Sequence, residues 1–140
     1  MTMLIALAAL TLAQAAPTAP TPLQVEVPVV PGLTADPTCG GREGLNTIAT
    51  CFATTQAAVE TVVDALNAEF TAQGWLPADG QDNRIIYVKR RPEGGCDAFQ
   101  LLAFGGANNV SAPAAPAYLA LAAIPGNICT AAPEAPATPQ

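Results

Sequence analysis

The stretch Thr55-Gln56-Ala57-Ala58-Val59-Glu60-Thr61-Val62-Val63-Asp64-Ala65-Leu66-Asn67-Ala68-Glu69-Phe70-Thr71-Ala72-Gln73 decides how the chain is read. Val59, Val62, Val63, Leu66 and Phe70 recur at three- and four-residue steps, so a helix lines them up on one stripe. Ala57, Ala58, Ala65, Ala68 and Ala72 form a second flank that permits close approach. Glu60, Asp64 and Asn67 mark the face left to water. Thr54 or Thr55 stands where a cap is needed, and Gly74 stands where the helix should stop. Trp75, directly after that glycine, is expected to fold back as a core anchor.

Downstream come three strand candidates. Arg84 to Arg90 holds the β-branched and aromatic run Ile85-Ile86-Tyr87-Val88, and Pro92-Glu93-Gly94-Gly95 turns the chain. Asp97 to Phe104 follows, then a loop rich in Gly, Asn and Pro, then Ala117 to Ile124. Upstream, Leu45 to Phe52 reads two ways. Thr47, Ile48 and Thr50 favour a strand, while Leu45, Ile48, Ala49 and Phe52 keep the helical phase, and the helical reading is preferred. The expectation is an α+β domain of two layers, one main amphipathic helix on a small antiparallel sheet of about three strands.

The ends of the chain read differently. Met3 to Leu12 is a short uncharged apolar run, followed by Ala13-Gln14-Ala15 with small residues where a signal peptidase inspects. Residues 1–15 are therefore expected to be a cleaved signal peptide; the run is too short for a membrane anchor, so the mature chain is expected to carry no transmembrane segment. Residues 16–38 hold six prolines and read as a linker, within which Leu23 to Val27 alternates like an edge strand. Residues 130–140 are Ala, Pro and Thr with one Glu and are expected to be a disordered tail. The folded domain is then expected over 39–129.

Cys39, Cys51, Cys96 and Cys129 all fall within that domain. An even count in an exported chain reads as two disulfides, and the chain is expected to be periplasmic or secreted. No Cys-x-x-Cys clip and no histidine are present to build a zinc site. Cys96 begins one expected strand and Cys129 follows the next but one from the turn, so these two should meet, leaving Cys39 to pair with Cys51.

The chemistry is bounded mainly by what is missing. Without histidine there is no Ser-His-Asp or Cys-His pair, and the single serine, Ser111, lacks a nucleophile-elbow setting. No phosphate-cradling glycine motif occurs, and no cofactor is expected. Asp79-Gly80-Gln81-Asp82-Asn83 resembles a calcium loop only loosely and reads as a polar turn; no metal site is expected. The net charge of −6 argues against nucleic acid as a partner.

Four of the five basic residues, Arg84, Lys89, Arg90 and Arg91, share one strand and its exit. They form a possible site for a phosphate or carboxylate group, or else protect a sheet edge. The functional expectation is a small exported binding or accessory module without enzymatic activity, facing an anionic envelope component or another protein. One alternative is a secreted inhibitor presenting the 105–116 loop. Another is a carboxylate enzyme acting on glycans through two converging acids.

Overall fold

A computed structural model describes residues 21–108 and 110–130. The expected signal peptide lies outside the described residues, as does the expected tail except Thr130, which closes a 3-10 turn over Ile128–Thr130. Among the described residues there is one α-helix, α1 (Val59–Ala72), and one sheet of six strands. The strands are β1 (Thr34–Ala35), β2 (Thr50–Thr55), β3 (Leu76–Gln81), β4 (Arg84–Arg90), β5 (Cys96–Gly105) and β6 (Pro116–Ile124). They pair antiparallel throughout in the order β1-β2-β6-β5-β4-β3. The sheet is thus twice the size expected, and it dominates the structure.

The helix buries Val62, Leu66 and Phe70, the residues four apart in the quoted stretch. They pack on Tyr87, Phe99, Leu101, Leu119 and Leu121, which alternate along β4, β5 and β6 as strand geometry requires. Four rings form the centre. Tyr87 stacks on Phe99 with centroids 4.9 Å apart and planes 15° from parallel, while Phe70 and Trp75 meet Phe99 edge-on at 5.1 and 4.8 Å. Trp75 is 2 % exposed, because Gly74 at φ +91° ends the helix in a left-handed step and the Trp75 amide returns to the Phe70 carbonyl at 3.0 Å. Burial pushes the Tyr87 phenol above its ordinary value, so it remains a donor, to Asn67 Oδ1 at 3.1 Å.

The helix start departs from expectation. Neither Thr54 nor Thr55 caps it through a side chain. A 3-10 turn, Gln56–Ala58, precedes α1, and its amides are taken by loop carbonyls: Gln56 N–H donates to Ala115 O and Ala57 N–H to Pro113 O. A tertiary partner satisfies donors that a cap would otherwise serve.

The helical phase of Leu45 to Phe52 also gives way. Leu45–Thr47 is one 3-10 turn, Ile48 is 64 % exposed, and Thr50 onward is β2, lying between β1 and β6. The β-branched residues prevail because β6 offers a full ladder of backbone partners. β3 was hidden for a different reason: Leu76-Pro77-Ala78-Asp79-Gly80-Gln81 is exposed at every position and carries no alternation. It is a strand because the two-residue turn Asp82-Asn83 folds it back on β4. Pro77 and a register shift between Pro77 and Asp79 are tolerated since β3 is an edge.

From Thr21 onward, the expected linker lies on the domain. Val25 and Val30 belong to the main core, with Leu23 and Val27 packed against it. Leu23 to Val27 makes no strand; instead the Gln73 side-chain amide donates to Glu26 O at 2.7 Å and accepts from Glu26 N–H at 3.0 Å, standing in for a neighbouring strand. Proline stiffens this segment, and the valines between the prolines supply what it buries.

The opposite sheet face carries a second, smaller core. Cys39, Cys51 and Ala120 are buried there, flanked by Leu45, Ala49, Leu102 and Phe104. The disulfide Cys39–Cys51 ties the covering segment to β2, and Cys96–Cys129 ties the start of β5 to the chain beyond β6. The Arg42 guanidinium lies over Phe104 at 4.5 Å. Gly40, at φ +65°, sits so close to Tyr118 that a Cβ would meet the ring at 2.9 Å.

Asp36 organises the entry to this cover. Its Oδ1 accepts from the Thr38 hydroxyl at 2.6 Å and the Thr38 amide at 3.0 Å, and its Oδ2 accepts from the Gly40 amide at 2.8 Å. The Thr38 hydroxyl first, then the amides, hold its carboxyl below the ordinary value of 3.8. A depressed folded value means the unfolded chain binds the proton first. The contribution is therefore complete above pH 3.8 and is lost as pH falls through the lower folded value. Urea midpoints measured across that window should fall with acid, and Asp36→Asn should flatten the slope; an unchanged slope would exclude Asp36 as a source.

Candidate functional site

The four basic residues do not form one cluster. Alternation along β4 puts Ile85, Tyr87 and Lys89 on the helix face and Arg84, Ile86, Val88 and Arg90 on the other. Lys89 Nζ donates to Gln73 O at 2.8 Å, a cation satisfying the carbonyl end of α1, and stands 5.8 Å from the Trp75 ring. Arg91 pairs with Asp97 at 2.7 Å and donates to Gly126 O at 3.2 Å. These contacts engage both side chains with the chain's own groups, although Lys89 is exposed. Arg90 is exposed, and Arg84, at the far end of the strand, lines the cleft between α1 and the β3–β4 hairpin. The hollow of about 360 Å³ beside Lys89, Arg90 and Arg91 also contains Glu93 and Asp97, which offset its positive charge.

The neighbouring disulfide corner is equally well tied. Asn127 Oδ1 accepts from the Cys96 amide at 2.8 Å, and Gly95, at φ +81°, lies so close that a Cβ would overlap the Asn127 amide. The 105–116 loop is braced as well as exposed. Gln56 Nε2 donates to Val110 O at 2.6 Å and its Oε1 accepts from the Ala112 amide at 3.2 Å.

A cleft of about 550 Å³ lies elsewhere, between the first turns of α1 and the β3–β4 hairpin. Its floor is aliphatic: Val59 and Val63 from the helix, Ile85 from β4, Leu101 and Ala103 from β5. All but Leu101 are only half-buried, so the floor stays partly open to solvent. Three hydrogen bonds position the hairpin wall and helix wall. Asn83 Nδ2 donates to Ala103 O at 3.0 Å, the Ala103 amide donates to Asn83 O at 2.8 Å, and Tyr87 reaches Asn67. Glu60 and Asp64 line it from the helix side, and Asp82 and Arg84 from the hairpin side.

These acids look unrelated in sequence. Glu60 and Asp64 read as a solvated helix face, and Asp82 as part of a polar turn. The one available signal was the spacing of Glu60 and Asp64 beside Val59 and Val63, which puts charge on the margin of the apolar stripe. All three are exposed, whereas acid catalysis on a glycan employs one carboxyl desolvated within the cleft. Among the described residues no group of acidic or cysteine side chains could hold a metal ion.

The fold defines a class: a two-layer α+β domain with one helix across a six-stranded antiparallel sheet and two disulfides. No protein-family model, curated protein or solved structure matches the chain. Two oxidised cysteine pairs are compatible with a compartment outside the cytoplasm, and no described helix is long and apolar enough to cross a membrane.

Proposed function

We propose that this chain is an exported, non-enzymatic binding module of the periplasm or extracellular space, and that the cleft between α1 and the β3–β4 hairpin holds its ligand. The observation that carries the reading is the cleft itself. Its volume lies in the range of small-molecule sites, and its aliphatic floor is bounded by polar groups on two separate elements. Export is supported by the apolar N-terminal run with its Ala-Gln-Ala boundary and by the paired cysteines.

Octanol serves as a neutral probe of the floor. Titrated into the oxidised protein and followed by amide shifts, it should saturate and move Val59, Val63, Ile85 and Ala103. Val63→Trp should fill the cleft and weaken binding about tenfold or more. Shifts confined to Ile86 and Val88 on the other sheet face, or no saturation, would remove the cleft from consideration. Intact mass of the exported product should show a start at Ala16 and two intact bridges; retention of residues 1–15 with free thiols would remove the compartment.

A further inference from the structure

We infer that the Cys96–Cys129 bridge is an exchange site for a small thiol, which is captured as a mixed disulfide on Cys129 and displaced again by Cys96. The two bridges of this fold differ in what can reach them. Cys39 and Cys51 are 1 % and 5 % exposed and enclosed in the second core. Cys96 is 1 % exposed, but its partner Cys129 is exposed on the 3-10 turn Ile128–Thr130. Both of these cysteines line a hollow of about 380 Å³, together with Leu76, Val88, Lys89 and Arg90. Exchange requires a thiolate to reach a sulfur of the bridge. The hollow offers that approach in the folded state, whereas the other bridge is reached only when its cover lifts.

The exchange balances without an oxidant. The incoming thiol gives its proton to water, and its sulfur bonds to Cys129 Sγ. The bond between Cys129 and Cys96 breaks, and its electron pair leaves on Cys96 Sγ, which takes up a proton. In the return step Cys96 loses that proton, its thiolate attacks Cys129 Sγ, and the small thiol departs. The return is favoured because sulfur is not the only tie at this corner. Asn127 Oδ1 accepts from the Cys96 amide at 2.8 Å, Arg91 donates to Gly126 O at 3.2 Å, and Cys96 is fixed opposite Arg90 in the β4–β5 ladder. Cys129 is two residues past Asn127, so that anchor keeps it within a reach of about 7 Å. The opened bridge stays beside its partner, and the main core, which contains no cysteine, is left in place.

The test treats the oxidised protein with glutathione under native conditions, quenches in acid and maps each sulfur by mass. Glutathione should appear on Cys129, and Cys96–Cys129 should open at least about tenfold faster than Cys39–Cys51. In urea that unfolds the chain, the ratio of the two rates should fall towards one. Asn127→Ala should open at the same rate but hold the mixed disulfide about threefold longer or more, because the effective concentration of Cys96 at Cys129 has dropped. Equal native rates, glutathione found on Cys96, or a loss of the folded Trp75 fluorescence on opening would overturn the inference. A rate ratio that persists in urea would do so too, by showing that access is not the cause. An unchanged lifetime in Asn127→Ala would overturn the return step at a held corner.

Discussion

Phe99→Ala should lower stability by about 3–5 kcal/mol, the cost of removing a fully enclosed aromatic ring and leaving its cavity. Phe99 is 1 % exposed and touches three other rings, stacking on Tyr87 and receiving Phe70 and Trp75 edge-on. The surrounding residues come from α1, β4 and the turn after the helix, so no single element can move inward to fill the gap. A domain of this size has a total stability of roughly 5–15 kcal/mol. The variant should therefore melt at least about 12 °C lower, at roughly 4–8 °C per kcal/mol. Ile48→Ala is the matched control: Ile48 is 64 % exposed, and its loss should fall within about 0.5 kcal/mol. Thermal melts followed by Trp75 fluorescence would decide the matter, and a Phe99→Ala midpoint equal to that of the control would mean the four rings are not the centre of stability.

Removing both disulfides should unfold the chain at 37 °C, whereas removing either alone should leave it folded with similar losses. The bridges close loops of very different length, with separations of 12 and 33 residues. Loop closure alone assigns about 2.8 kcal/mol to Cys39–Cys51 and about 3.7 kcal/mol to Cys96–Cys129. Burial works in the other direction. Cys39 and Cys51 are both enclosed in the second core, 1 % and 5 % exposed, while on the other bridge Cys96 is buried and Cys129 is exposed. The additional sulfur buried at Cys39–Cys51 contributes about 1 kcal/mol of packing, which offsets the shorter loop. Urea denaturation of Cys39→Ala/Cys51→Ala and Cys96→Ala/Cys129→Ala should give free energies within about 1 kcal/mol of each other. A gap of several kcal/mol would show that one of the two terms has been misjudged, and full stability under reductant would refute the role of both bridges.

The two bridges also differ in what they hold. Cys39–Cys51 fastens the cover over Ala120, Leu102 and Phe104, so its loss should expose that face while leaving the helix-side core in place; that core contains no cysteine. Cys96–Cys129 secures the corner where Asn127, Arg91 and Asp97 meet. Hydrogen exchange would separate the two by where protection is lost.

Periodicity made part of this architecture readable in advance. The stripe Val62, Leu66, Phe70 declares a helix, and β4, β5 and β6 declare themselves by β-branched and apolar alternation between turn residues. The strands that escaped notice are those whose side chains say nothing. β1 has two residues, β3 is exposed throughout, and β2 shares its apolar spacing with a helix. Their pairing is specified by backbone hydrogen bonds to neighbours, and every sequence possesses those donors and acceptors.

The candidate site was less legible than the fold. Lys89, Arg90 and Arg91 line one hollow together with Glu93 and Asp97, and Lys89 and Arg91 are engaged by Gln73, Asp97 and Gly126, groups at varied distances along the chain. The cleft proposed as the binding site joins α1 to a hairpin some twenty residues later.

From its residues alone, this chain specified one amphipathic helix, an antiparallel meander after it and an even set of cysteines, because each is written in local spacing or count. Tertiary structure alone decided that the sheet has six strands, that the proline-rich entry packs as core, and that Glu60, Asp64, Asp82 and Arg84 line one cleft with an apolar floor. The reason is physical. Edge pairing and charge proximity depend on which surfaces meet after collapse, and no local period in the sequence encodes that meeting.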